Sequence, residues 1–333
     1  MGVRAWPWGR CLLALLCLVP FQACRRRAQP LRLGCFANLT HAQALLGKSR
    51  GDFRVQGRPV AWRLFNAGPT EMEALLAGEL DAAYVGPNPA VNAWLRSGRT
   101  GLKILAGSVS GGASLVLRPA SGIRGAADFR GRKVASPELG NTQDVALRSW
   151  LRGAGLEPGR DVKVLPVKNP EILSLFVRGQ VDAAWVPEPW ATRLVQEAGG
   201  VRFLDEADLW PEGRFTTAVL VGREAWMREH PDEVRTVLRT HVALTAWIAA
   251  HPGAAAEGVR KALEAVQGSP LRPDLVREAF RFLRFTDDPL AGTIQVSAER
   301  AWKLGFLPER PERLEDLVDR RFLQEVKAEG ARP

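Results

Sequence analysis

Pro69 opens a segment that closes on Gly78-Glu79-Leu80-Asp81-Ala82-Ala83-Tyr84-Val85, and Pro170 opens one that closes on Gly179-Gln180-Val181-Asp182-Ala183-Ala184-Trp185-Val186. The second copy lies 101 positions after the first (69 to 170). Each begins as a helix with proline in its first turn, where a missing N–H costs no hydrogen bond. A glycine then ends the helix, a short apolar strand follows, and a Pro-rich turn closes the unit: Gly86-Pro87-Asn88-Pro89 in one copy, Pro187-Glu188-Pro189 in the other. A period near 100 is too long for a stacked solenoid. It fits two similar lobes that each carry the same unit.

Working outward, short β-type runs alternate with helical patterns from Leu31 to about Leu220, which predicts an α/β fold with mostly parallel strands flanked by helices. The expected strands are Val60–Asn66, Asp81–Val85, Leu102–Ala106, Lys133–Ser136, Val162–Val167 and Asp182–Val186, with helices at Pro69–Ala77, Thr142–Arg152 and Pro170–Val177. After Val221 the pattern is almost purely helical: Pro231–Ala250, a helix from Pro252, Pro273–Phe285, Ser297–Leu304 and Arg313–Lys327. A helical C-terminal part of this kind should pack onto the existing lobes rather than build a sheet of its own.

The chain has 333 residues, 46% of them hydrophobic and 25% charged, which is enough for a full core and excludes a disordered polymer. Its net charge of +10 comes from Arg scattered along the chain, with no block of like charge, so no nucleic-acid footprint is expected. Arg4 and Arg10 precede the apolar run Cys11–Pro20, followed by Phe21-Gln22-Ala23-Cys24, the pattern of a secretory signal over residues 1–23. Ala23 directly before Cys24 resembles a bacterial lipobox, so Cys24 is the expected lipidation site. Cys11 and Cys17 leave with the signal, and only Cys35 remains, in an apolar stretch, where it reads as a small core residue. The sequence therefore predicts neither a disulfide framework nor a metal site.

Several further segments, in order, carry a resemblance: Leu33-Gly34-Cys35-Phe36-Ala37-Asn38-Leu39-Thr40-His41, Phe65-Asn66-Ala67-Gly68-Pro69, Gly111-Gly112-Ala113-Ser114-Leu115-Val116, Asp128-Phe129-Arg130-Gly131-Arg132-Lys133-Val134-Ala135 and Leu139-Gly140-Asn141-Thr142-Gln143-Asp144. With the two Asp-Ala-Ala units, residues 31 to about 250 resemble the substrate-binding proteins of ABC importers for sulfonates, taurine and nitrate. That resemblance implies a two-lobed periplasmic-binding-protein fold of type II, a Venus flytrap with two crossings between lobes. Lobe one would take 31–118 plus 218–333, and lobe two 119–217. It implies a monomeric lipoprotein outside the cell membrane that captures a small anionic solute and passes it to permease subunits, with no cofactor and no catalytic residue. The other readings of the fold are a sensor module, for which no linker follows Leu323, and a pyrimidine-precursor enzyme, whose Cys-rich metal motif this chain lacks.

In open α/β sheets, ligands bind beyond the carboxyl ends of the strands. The loops expected there are Ala37–His41, Ala67–Thr70, Gly86–Asn88, Ser108–Gly112, Leu139–Thr142 and Pro187–Trp190, which are rich in neutral hydrogen-bonding residues and poor in Lys and Arg. Helix starts offer free backbone N–H groups and the positive end of the macrodipole, so an oxyanion can be held without a cationic side chain. The candidate ligand-binding residues are Asn38, Thr40, His41, Gly68, Asn88, Ser110, Gly111, Asn141, Thr142, Trp185, Glu188 and Trp190. Each has a plainer alternative. Asn38, Thr40 and Asn88 suit turns, Asn141 and Thr142 suit a helix cap, and His41 suits a first helical turn. Ser110-Gly111-Gly112 suits a hairpin turn, and Trp185 suits the core. Glu188 either pairs with an Arg or reads a ligand amine.

Overall fold

The structure, a computed structural model, describes residues 1–3, 29–55 and 58–330; Cys24 and almost all of the expected signal segment lie outside the described residues. The strands are β1 Leu31–Phe36, β2 Val60–Phe65, β3 Ala82–Val85, β4 Leu102–Gly111, β5 Ala113–Leu117, β6 Lys133–Pro137, β7 Lys163–Val167, β8 Ala183–Pro187, β9 Val201–Asp205, β10 Thr216–Arg223 and β11 Leu283–Phe285. The helices are α1 Ala42–Arg50, α2 Gly68–Leu76, α3 Pro87–Arg96, α4 Thr142–Gly153, α5 Asn169–Val177, α6 Trp190–Ala198, α7 Glu224–Glu229, α8 Pro231–Ala250, α9 Pro252–Gln267, α10 Pro273–Phe280, α11 Ala291–Lys303 and α12 Arg321–Gly330.

The strands form two sheets, ordered β11-β4-β10-β3-β1-β2 and β9-β5-β8-β6-β7. Apart from β11 the two orders are one design used twice, and the repeat seen in the sequence is kept in register. Leu33 and Gly34 face Ala82 and Ala83; Val134 and Ala135, 101 positions on, face Ala183 and Ala184. The Asp of each Asp-Ala-Ala unit holds the same corner. The Asp81 carboxylate accepts the N–H of Arg32 at 3.0 Å, and that of Asp182 accepts the N–H of Lys133 at 2.9 Å. Gly78 and Gly179, which end the matched helices, both have positive φ (76° and 69°).

Both sheets are mixed rather than mostly parallel. β1 runs parallel to β2 and β3, and β6 to β7 and β8. β10 is antiparallel to β3 and β4, and β5 to β8 and β9. The reason is an exchange of strands. β5 enters the second sheet straight from β4 of the first, and β10 returns to the first after β9. A parallel neighbour needs a crossover long enough to turn the chain back, usually an α-helix; β4 passes to β5 through Gly112 alone, and β9 reaches β10 through two 3₁₀ turns, Glu206–Leu209 and Pro211–Gly213, without an α-helix.

Consequently β5 lies in the second sheet, not in lobe one as a boundary after residue 118 would have it, and β10 starts at Thr216 rather than 218. Ser110-Gly111-Gly112 is likewise the passage between lobes, not a hairpin turn. Gly111 and Gly112 have φ of 80° and 74°, and a Cβ on Gly112 would collide with Leu283. Leu283–Phe285, expected as helix, pairs instead with the open edge of β4, and the last helix starts at Arg321 rather than Arg313.

Helices cover both faces of each sheet, so the inner strands are apolar throughout and successive residues enter opposite layers. Ala82 and Tyr84 enter one core of the first sheet and Ala83 and Val85 the other. Ala183 and Trp185, then Ala184 and Val186, divide the second sheet in the same way. The helical C-terminal part also joins the lobes: α11 packs on α3 of the first and on α4 of the second. Across that contact, Arg152 donates to the Lys303 carbonyl at 2.8 Å.

Candidate functional site

The carboxyl ends of β1, β2 and β3 point toward those of β6, β7 and β8. Where they meet lies a narrow cavity of about 30 Å³, lined from the first lobe by Phe36, Asn38, Thr40, His41, Asn66, Gly86 and Thr217, and from the second by Pro137, Asn141, Gln143, Asn169 and Pro187. A cavity of this size has room for about two water-sized groups. None of the twelve lining residues carries a carboxylate, ammonium or guanidinium group.

Local structure aims the donors inward. Asn38 ends the extended strand and starts the single 3₁₀ turn Leu39–His41, so its side chain stands at the rim of β1. His41 Nδ1 accepts the Phe36 N–H at 3.1 Å, which leaves the ring proton on Nε2. Burial pulls the His41 pKa down to about 3, so the ring is neutral at physiological pH. It stacks on Phe36 with centroids 4.7 Å apart. The helices α2, α3 and α5 begin here with no side chain capping their first amides. At the head of α4, Asn141 Oδ1 accepts the Thr142 N–H at 2.8 Å. Asn38 Oδ1, Thr142 Oγ1 and Asn169 Oδ1 are buried and find no partner in the described chain. Buried polar atoms are rarely left so.

The lobes are in contact across this cavity. A Cβ on Gly86 would lie 2.6 Å from Thr142 Oγ1 and 3.7 Å from Asn141 Oδ1. Further out, Phe36, Asn38, Asn66 and Asn169 also line a second, larger chamber of about 500 Å³. Trp190 belongs to that chamber, together with Leu64, Phe65, Lys168, Arg193 and the end of α9 at Val266 and Gln267.

The structure thus brings together Asn38, Thr40, His41, Asn141, Thr142 and Trp190, and it places the other candidates elsewhere. Gly68 serves helix packing, since a Cβ there would come 2.7 Å from the Pro89 Cβ. Asn88 Oδ1 accepts the Ser297 hydroxyl at 2.9 Å, tying α3 to α11. Ser110 Oγ accepts the Phe215 N–H at 3.1 Å, and the Gly111 carbonyl accepts the Thr217 hydroxyl at 2.6 Å; both bonds stitch the two crossings together. Trp185 is core, its Nε1–H donated to buried Glu206 at 2.8 Å, because it occupies the position of Tyr84 in the repeat and points away from the strand end. Glu188 pairs with Arg202 at 2.8 Å and accepts the Thr192 N–H at 3.1 Å, the first of its two expected arrangements.

Phe36, Asn66, Gly86, Pro137, Gln143, Asn169, Pro187 and Thr217 are the lining residues absent from the candidates named from sequence. Asn169 is the first residue of α5, just past the loop after β7, a loop not among those expected at the site. The repeat itself carried the signal, since Asn169-Pro170 aligns with Gly68-Pro69.

The two lobes thus enclose a mostly polar cavity between opposed strand ends. The chain belongs to the NMT1-like family, which matches residues 26–263. A Brucella abortus relative, named only as a binding protein, is 29% identical over 212 residues; the match covers 63% of this chain and 64% of the relative. The taurine-binding periplasmic protein of Escherichia coli is 24% identical over 232 residues, 69% of each chain. Among solved structures, the periplasmic nitrate-binding protein NrtA of Synechocystis superposes with a TM-score of 0.79 at 17% identity, over 92% of this chain and 90% of that one. Among the described residues no helix is long and apolar enough to cross a membrane, and no group of His, Cys, Asp and Glu is placed to hold a metal ion.

Proposed function

We propose that this protein is the extracytoplasmic solute-binding lipoprotein of an ABC importer. It captures a small oxyanion of the sulfonate, taurine or nitrate class between its lobes and delivers it to the permease. The observation that carries the reading is the inner cavity: lined mainly by neutral polar residues, free of charged side chains, and bounded by helix starts. Such a site replaces the hydration of an anion with backbone N–H groups and neutral donors. His41 Nε2–H, Thr142 and the amides of Asn38 and Asn141 are the groups we assign to the ligand. The names of the taurine- and nitrate-binding relatives support the solute class. Lobe one is taken as residues 31–111 with 216–330, and lobe two as 113–205, joined at Gly112 and at the segment before β10.

The test is a melting screen of the protein from residue 24 onward against taurine, alkanesulfonates and nitrate. A true ligand at 100 times its dissociation constant should add about 2.7 kcal/mol of stability. Unchanged melting with every one of them overturns the reading.

A further inference from the structure

We infer that the solute is a bifunctional amphipathic anion, with an oxyanion head, an apolar body and a second anionic group. The inference rests on the oxyanion reading above and adds what lies outside the inner cavity. That cavity, at about 30 Å³, accepts a head group and little more. It opens through the shared residues Phe36, Asn38, Asn66 and Asn169 into the chamber of about 500 Å³. A volume of that order suits a ligand of many heavy atoms, and nitrate or taurine would leave it to water.

The outer chamber differs from the inner in chemistry as well as size. Its walls include Leu64, Phe65, Trp190 and Val266, and its charged side chains are Lys168 and Arg193, with no carboxylate among the lining residues. The Arg193 guanidinium lies 4.8 Å from the Trp190 ring centroid and pairs with Glu197 at 3.0 Å. Lys168 is exposed at the head of α5, with Glu138 near enough for its carboxylate to feel the Lys168 charge. Neutral donors in the inner cavity, with apolar walls and two cationic side chains in the outer chamber, match the three properties of one ligand.

Calorimetry on the lipid-free protein tests this with methanesulfonate, benzenesulfonate and 4-sulfobenzoate. Benzenesulfonate should bind at least tenfold tighter than methanesulfonate, because each buried methylene equivalent is worth about fourfold. 4-Sulfobenzoate should exceed benzenesulfonate about fivefold at low salt, with the margin falling toward one at high salt and in Lys168→Ala. Trp190→Ala should shrink the benzene-over-methane ratio. Trp190 also packs in the second lobe, so exposed Leu64→Asn serves as the second variant. A folding defect alone would weaken all three ligands and leave the ratios unchanged, which would count against the inference. If methanesulfonate binds and the larger anions bind no tighter, the inference falls and the oxyanion reading stands. If the ring helps but the carboxylate does not, the bifunctional class is overturned. If none of the three binds, the oxyanion reading itself fails and the inference with it.

Discussion

Gly86 of the first lobe and Thr142 of the second touch across the cleft, with the Thr142 hydroxyl 2.6 Å from where a methyl on Gly86 would sit. Gly86 has φ of −67° and ψ of 151°, a conformation any residue adopts. The glycine is therefore needed for closure, not for backbone geometry. Gly86→Ala should leave melting of the unliganded protein nearly unchanged and weaken solute binding about tenfold or more, since overpacking a tight contact costs about 1–3 kcal/mol. Adding Thr142→Ala removes the colliding oxygen, so the double variant should lose less than the sum of the two singles in calorimetry.

The neutral His41 ring makes a second prediction. With its pKa near 3 and its Nδ1 occupied by the Phe36 N–H, His41 donates through Nε2 without carrying charge at any pH above about 4. Affinity for a strong-acid anion such as a sulfonate should therefore be flat between pH 5 and pH 8. Binding that strengthens on acidification with a midpoint near 6.5 would show instead that an imidazolium holds the anion.

Glu188 belongs to stability. It is fully buried, accepts from Arg202 and from the Thr192 N–H, and Arg202 in turn lies 3.7 Å from the Phe282 ring centroid of the other lobe. Glu188→Ala removes the ion-pair partner of Arg202, which keeps its bonds to Ser114 and Thr192, and should cost about 1–3 kcal/mol in denaturant unfolding. Its effect on affinity, measured where the variant is still folded, should be small beside that of Gly86→Ala.

Glu206 sets a pH signature. Burial raises its pKa to about 7, while its carboxylate accepts the Trp185 indole N–H at 2.8 Å. The folded state holds this proton more tightly than the unfolded one. Its contribution to stability is full below about pH 4.5, falls as pH rises toward 7, and is flat above. Glu206→Gln keeps an acceptor for Trp185 and removes the titration. The variant's melting temperature should gain on the parent between pH 5 and pH 7.5, whereas a difference independent of pH would contradict the assignment.

The anchor is testable apart from the fold. Ala23-Cys24 follows an apolar run of signal length, so Cys24→Ala should move the protein from the membrane fraction to the soluble fraction. Continued membrane retention of that variant would rule out lipidation at this cysteine.

The sequence by itself determined the repeat and most of what depends on it. Pro, Gly, Asp-Ala-Ala, an aromatic residue and Val recur at one spacing because each answers to local chemistry: a helix start, a left-handed C-terminal residue, a strand corner and a buried strand. It also placed Asn38, Thr40, His41 and Asn141 at strand ends, which periodicity alone can locate. What it could not contain is any property that needs two distant segments at once. Strand direction was decided by which sheet β5 and β10 enter, a choice made by pairings more than 60 residues apart in sequence, such as Ala113 with Pro187. The fate of Trp185 and Glu188 was decided by Glu206 and Arg202, residues without a local signature. Gly86, Asn169 and Thr217 became cavity walls only when the two lobes met, and the outer chamber took a third wall from the end of α9. Local rules select elements residue by residue, but a binding cavity is the space left between elements, and tertiary packing alone sets its size and charge.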